Sequence, residues 1–297
     1  NIQLQQYDGN FDYNSNHYEN QLHSLLNSII LSMKLHFPFI LFIGLYIHAI
    51  VGPSLQAAEG SAPREGFGLL AHWSFDEDYS SSVNNDLYQG RPKGGSLVSI
   101  IHSRQIAKVG EGVLRLDSGT ISGKKTFVAV RNPLFGYRNA EVFTVVAWYR
   151  QEDLSGDGSD SRHFVWESTP GYSLAFGLRE KNGQQDAEWW FQTASHASLS
   201  DSSGPLIEKR QWYHVAMVWN QSLGHCKYYH NGELRDEVAI PKGEILEEMT
   251  GFHIGNHRAG DGSRDWDGYI DDVAVYDLEL TPTQIKALVA GRQRDVE

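Results

Sequence analysis

Trp266-Asp267-Gly268-Tyr269-Ile270-Asp271-Asp272-Val273-Ala274-Val275-Tyr276 reads as a buried closing β-strand. Its second half is unbroken apolar and β-branched sequence, as a strand covered on both faces requires. Three earlier stretches read the same way. Trp212-Tyr213-His214-Val215-Ala216-Met217-Val218-Trp219 is a second buried strand. Tyr229-His230-Asn231-Gly232-Glu233-Leu234 places Asn-Gly between two strand-like runs, the strongest two-residue hairpin signal, because both residues tolerate positive φ. Phe252-His253-Ile254-Gly255-Asn256 is a third strand with a glycine break. Together they specify antiparallel strands and a tight hairpin. They contain no nucleophile or acid/base pair at working spacing, and no phosphate loop.

Working back toward the start, short strands alternate with turn clusters. The expected strands are 69–75, 112–116, 127–130, 142–149, 163–166, 172–177 and 188–192. Residues 142–149 are almost wholly apolar, as in a strand buried on both faces. Residues 76–95 are polar and read as one long loop. A single helix stands out near the end. Thr281 caps it, Pro282 suits its first position and Gln284 completes a capping box. Ile285, Leu288 and Val289 form its apolar face, and Gly291 ends it. Many evenly spaced strands and one terminal helix predict an all-β, two-sheet antiparallel jelly-roll sandwich with a short C-terminal helix.

The chain has 297 residues, 29 of them glycine, and a formal net charge of -12. Such acidity repels phosphate backbones, so no nucleic-acid partner is expected. The single cysteine, Cys226, excludes an internal disulfide and sits in a strand-like run as a small apolar residue.

Residues 1–32 read as an upstream extension without order. Met33-Lys34, the apolar run 35–51 and Leu55-Gln56-Ala57-Ala58 form the pattern of a secretory signal over residues 33–57. The run is short for a membrane span and is interrupted by His36, Pro38 and His48. The rival reading is an uncleaved anchor. A short linker at 58–65, a domain at 66–292 and a tail at 293–297 complete the expected organisation. Secretion, or residence in the periplasm or cell envelope of a bacterium, follows, with no stable membrane span after cleavage.

The series His72-Trp73-Ser74-Phe75-Asp76-Glu77, Val109 to Asp117, Phe143 to Trp148, Trp212 to Ala216, and Gly268 to Tyr276 with Leu280-Thr281 resembles the laminin-G-like (concanavalin A-like) jelly-roll domains of secreted bacterial proteins. The resemblance covers about residues 66–292. It marks a fold strongly and a function weakly, since this fold hosts lectins, adhesion modules and glycan hydrolases alike. Stretches 91–108 and 153–162 depart from the pattern.

The resemblance implies a structural calcium between the first loop and the closing strand. The matching carboxylates are Asp76 or Glu77, Asp86, and Asp271 or Asp272. Strict alternation puts Asp271 and Asp272 on opposite faces, so one alone can enter a given site. The competing reading is that these carboxylates cap loops or pair with arginine. The acidic runs 153–160 and 261–268 lack EF-hand spacing and read as solvated turns.

Sugars stack on flat aromatic rings, with polar side chains fixing their hydroxyls. Trp189 and Trp190 are adjacent in a strand, so one faces the core and the other can form an exposed platform. Trp166 and Trp266 lie near loops and are further platform candidates. Trp73, Trp148, Trp212 and Trp219 read as core, and His214 as a structural histidine. No catalytic residue emerges. The Glu-x-Asp-x-x-Glu strand of glycan hydrolases, the Gly-x-Ser-x-Gly elbow and zinc-binding histidine spacings are all absent.

The leading expectation is a secreted, non-catalytic recognition module that binds glycan or an extracellular protein surface, with calcium as a structural aid. The alternatives are a cryptic glycoside hydrolase or lyase, which needs two carboxylates in one cleft, and a purely structural envelope domain.

Overall fold

The computed structural model describes residues 68–118, 126–130, 140–152, 161–168, 174–181, 184–195, 198–201, 204–246, 251–256 and 266–290. The chain divides into two compact units, Asn1–Ala57 and Ala58–Glu297, and every described residue lies in the second. The expected extension, signal and linker therefore lie outside the described residues.

Two antiparallel sheets face each other. In chain order the strands are β1 (Leu69–Trp73), β2 (Gly90–Lys93), β3 (Val98–Ile100), β4 (Leu114–Asp117), β5 (Phe127–Val130), β6 (Val142–Gln151), β7 (Ser161–Ser168) and β8 (Leu174–Lys181). There follow β9 (Gln184–Gln192), β10 (Ser198–Asp201), β11 (Tyr213–Asn220), β12 (His225–His230), β13 (Glu233–Ala239), β14 (Gly251–Ile254) and β15 (Asp267–Tyr276). The helices are α1 (Asn85–Tyr88) and α2 (Pro282–Ala290).

The first sheet runs β13-β12-β11-β6-β15-β4-β3, with β1 also paired to β15. The second runs β10-β9-β8-β7-β14-β5-β2. The two-sheet architecture matches the sequence reading. Residues 76–95, expected as one loop, instead hold α1 and the edge strand β2.

The core lies between the sheets. Trp73 of β1 stacks on Phe252 of β14, with ring centroids 5.5 Å apart and planes 17° from parallel. Its indole N–H donates to the Tyr88 carbonyl at 2.9 Å, which ties α1 to the core. From β6 and β11, Phe143, Val145, Ala147 and Tyr149 join Val215, Met217 and Trp219 in this layer.

The alternate residues of the first sheet form a second apolar layer. Val146, Ala216, Val218, Ala274 and Tyr276 pack there with Leu280, just ahead of α2, and with Ile285 in its first turn. This is why β6, β11 and β15 read as continuous apolar runs: each is buried on both faces. The expected capping box is formed. Gln284 donates its backbone N–H to Thr281 Oγ1, and the Thr281 backbone N–H donates to Gln284 Oε1.

The β12–β13 hairpin turns at Asn231 and Gly232, with φ of 51° and 80°. Both lie in the left-handed region that this turn demands. Cys226 is buried, and burial pushes its thiol up to about 12, so it is an apolar filler rather than a nucleophile. Among the described residues no helix is long and apolar enough to cross a membrane.

Candidate functional site

The outer face of the second sheet collects the side chains of most interest. Along β9 the core side is Ala187, Trp189 and Phe191. The period of two therefore sends Asp186, Glu188, Trp190 and Gln192 outward. Trp189 is 1% exposed and stacks on Tyr228 with centroids 5.8 Å apart. Trp190 is half-buried on the opposite face. The adjacent pair thus splits as alternation requires: Trp189 is core, and Trp190 holds the platform position.

Neighbouring strands place small, buried residues beside Trp190. Its cross-strand partners are Ala175 on β8 and Ser200 on β10, and Glu188 lies opposite Gly177. Leu174, Phe176 and Leu178 of β8 face the core, so Ala175 and Gly177 line the outer side with almost no side-chain volume. Two rows further, His253 of β14 sits beside the Phe127 ring, with centroids 4.9 Å apart. Burial lowers the His253 imidazole to about 4, so it is neutral at ordinary pH.

Glu188 and Gln192 are only 6% and 9% exposed although they point away from the core. The face therefore carries a half-buried indole flanked along its own strand by a sheltered carboxylate and a sheltered amide. That combination offers a stacking surface together with hydrogen-bonding groups.

The other sequence candidates separate. Trp266 is not a platform. It is 0% exposed and meets Tyr149 edge-on, at 5.7 Å and 82°. A Cβ at Gly268, at the start of β15, would collide with the Arg150 carbonyl oxygen and lie 2.9 Å from the indole nitrogen, so the Trp266 ring packs directly against the β15 backbone. Trp212, expected in the core, is instead half-buried just ahead of β11. Trp166 lies in β7, where its backbone pairs with His253 and Ala175, and its side chain lies outside the described residues. The acidic run 153–160 and residues 261–265 of the run 261–268 are outside them as well.

The five expected calcium ligands do not form one cluster. Asp76 accepts hydrogen bonds from the backbone N–H groups of Glu111 and Gly112. Asp271 Oδ2 accepts from the backbone N–H groups of Lys108 and Val109 at 2.8 and 2.9 Å. These two carboxylates pin the loop before β4 from either end. Lys108 then lies over the Trp148 ring, its Nζ 4.4 Å from the centroid. Asp272 binds the His72 ring. Glu77 and Asp86 are exposed. Among the described residues no three histidine, cysteine, aspartate or glutamate side chains converge as metal ligands.

Strict alternation also fails at Asp271 and Asp272. Asp271 pairs with Trp148, and a bulge separates it from the next paired residue, Ala274. Asp272 has a φ of 54° within that bulge. Trp148 alternates with the core residues Ala147 and Tyr149, and His72 with Ala71 and Trp73. Both aspartates therefore lie on the outer side of their sheet, because a bulge re-aims a side chain.

Comparison with solved structures places the fold. Domain 4 of AbnA, a GH43 extracellular arabinanase from Geobacillus stearothermophilus, in complex with arabinotriose, is 19% identical with a TM-score of 0.55, over 74% of this chain and 98% of that domain. The botulinum neurotoxin serotype D binding domain is 16% identical with a TM-score of 0.55, over 76% of this chain. The serotype D ligand binding domain in complex with N-acetylneuraminic acid is 17% identical with a TM-score of 0.53, over 75% of this chain. This chain spans about half of each toxin domain, 51% in both cases. At such identities the likeness establishes the fold. No curated protein matches the sequence. A family model does match, over residues 122–286, and the chain belongs to that family, the concanavalin A-like lectin/glucanases superfamily in its laminin G form.

Proposed function

We propose that this protein is a secreted carbohydrate-recognition module whose binding face is the outer side of the second sheet. The carrying observation is the half-buried Trp190, with Glu188 and Gln192 in line along β9 and the small residues Ala175 and Gly177 beside it. A sugar ring on the indole gains apolar contact, and its hydroxyls meet a carboxylate and an amide. The arabinanase domain was solved with arabinotriose and a toxin domain with N-acetylneuraminic acid, which supports sugar as the ligand class. The signal pattern at 33–57 supports secretion. Calcium has no part in this reading, because Asp76, Asp271 and Asp272 direct their carboxylates to amide N–H groups and to a histidine. A glycan array probed with the purified protein, followed by calorimetric titration of the best ligand, tests the proposal. Selective binding supports it, and an array without a bound glycan counts against it.

One observation favours a second reading, glycoside hydrolysis. Asp186 and Glu188 are two residues apart in β9 and share the Trp190 face. That spacing puts their Cα atoms about 7 Å apart on one face, from where the two side chains can reach the roughly 5–10 Å carboxyl separation of glycosidases. Release of reducing ends from the bound glycan, abolished in Glu188→Gln, would favour this reading over simple binding.

A further inference from the structure

β1, the loop that follows it and the β15 bulge bring three side chains into one line. The His72 ring lies between Asp272 Oδ1, on its Nε2 side, and Ser82 Oγ, 2.9 Å from Nδ1. His72 and Asp272 are 200 positions apart, so no sequence spacing announces the arrangement. His72 and Asp272 are buried, whereas Ser82 is exposed.

The direction of the hydrogen bonds follows from the groups themselves. A carboxylate accepts and cannot donate, so the His72 proton resides on Nε2. The Nδ1 of the neutral ring is then an acceptor, and the Ser82 hydroxyl donates to it. Backbone contacts hold this geometry. The Ser82 N–H donates to the His72 carbonyl at 2.8 Å, and the His72 N–H donates to Ser81 Oγ at 2.9 Å. Asp272 reaches the ring from a left-handed backbone conformation, φ 54°, which a non-glycine residue rarely adopts. Strain of this kind clusters at functional sites.

We propose that Ser82 is an activated nucleophile toward carboxylic esters, with His72 as its general base and Asp272 as the positioning residue. Such a group is recognised by its geometry and roles, not by the order of its members in the chain. Ser82 Oγ attacks the ester carbonyl carbon as its proton passes to His72 Nδ1. The bond from that carbon to the alkoxy oxygen breaks, and the alcohol leaves with the proton. Water then adds to the acyl-serine carbonyl carbon as His72 takes its proton; the bond from that carbon to Ser82 Oγ breaks, the His72 proton returns to Oγ, and the carboxylic acid is released. No oxidant or reductant is needed.

The test uses the purified full-length protein with p-nitrophenyl acetate as substrate and a fluorophosphonate probe, followed by peptide mapping. The proposal expects the probe on Ser82 and nitrophenol release about a hundredfold faster than in Ser82→Ala, from general-base catalysis. Ser82 is exposed, so Ser82→Ala should keep the wild-type melting temperature. Asp272→Asn should slow release and move the midpoint of the pH–rate profile to lower pH, which loss of packing alone would not do. An unlabelled Ser82, or release equal in wild type and Ser82→Ala, overturns the assignment. An unmoved midpoint in Asp272→Asn removes that residue from it. Trp190→Ala should leave the labelling intact, which separates this result from that of the glycan face.

Discussion

Trp189 and Trp190 are covalent neighbours on opposite sides of one sheet: Trp189 stacks within the core on Tyr228, 5.8 Å between centroids, and Trp190 is half-buried on the outer face. Two substitutions of the same chemical size should therefore behave differently. Trp189→Ala removes a large buried ring and should cost about 3–5 kcal/mol. Trp190→Ala should cost about 1 kcal/mol or less, as a substitution outside the core. Urea unfolding of the two variants measures the contrast. Equal losses would place both rings in the core.

The buried histidines set an acid limit on stability. Burial lowers His253 and His230 to about 4 each, and His230 also lies near the Arg235 charge. The unfolded chain protonates a histidine near 6.5. Between pH 6.5 and 4 the unfolded state therefore binds more protons, and stability falls as pH falls through that window. Each histidine contributes up to about 3 kcal/mol of loss, at 1.36 kcal/mol per pKa unit. Urea midpoints at pH 7 and pH 4.5 should show the decline, and His253→Leu should make it shallower.

Asp271 pins the loop before β4 through two charge-assisted hydrogen bonds to Lys108 and Val109. Asp271→Asn should destabilise by about 1–3 kcal/mol, since it weakens both bonds at a buried position. Excess calcium and chelator should give the same melting temperature, because a ligand raises that midpoint only by binding the folded state. A calcium-dependent rise would return the carboxylates to a metal site.

The β12–β13 turn depends on Gly232. Its φ is 80°, and an added Cβ would lie 3.3 Å from Lys286 Cγ and 3.4 Å from Val289 Cγ2 of α2. Gly232→Ala should cost about 1–2 kcal/mol from the left-handed backbone. A melting curve equal to wild type would mean that the hairpin turns elsewhere.

The legible parts of the sequence were those where one physical pattern ruled. β6, β11 and β15 stand between two apolar layers, so their runs have few polar interruptions. The Asn231-Gly232 turn and the Thr281–Gln284 cap are local chemistry and formed as read. β2 was illegible because Arg91-Pro92-Lys93 has the look of a loop, and an edge strand tolerates proline and charge. β3 and β10 are three and four residues long, too short for a period to show.

At the candidate site, Trp190 was accessible to alternation, with Trp189 as its counterpart. Trp266 was misplaced because position near a loop does not fix burial. The common side of Asp271 and Asp272 required a bulge that no residue type signals. The meeting of His72, Ser82 and Asp272 depends on β1 pairing with β15, a long-range pairing that spacing along the chain cannot show.

The measurement that bears most directly on the central claim is calorimetric titration of wild type and Trp190→Ala with the glycan that wild type selects from an array. Saturable binding by wild type is predicted, with a loss of tenfold or more in Trp190→Ala, about 1.4 kcal/mol, and a melting temperature lowered by no more than about 4 °C. Equal affinity in the two proteins, or no glycan bound by wild type, would contradict that claim.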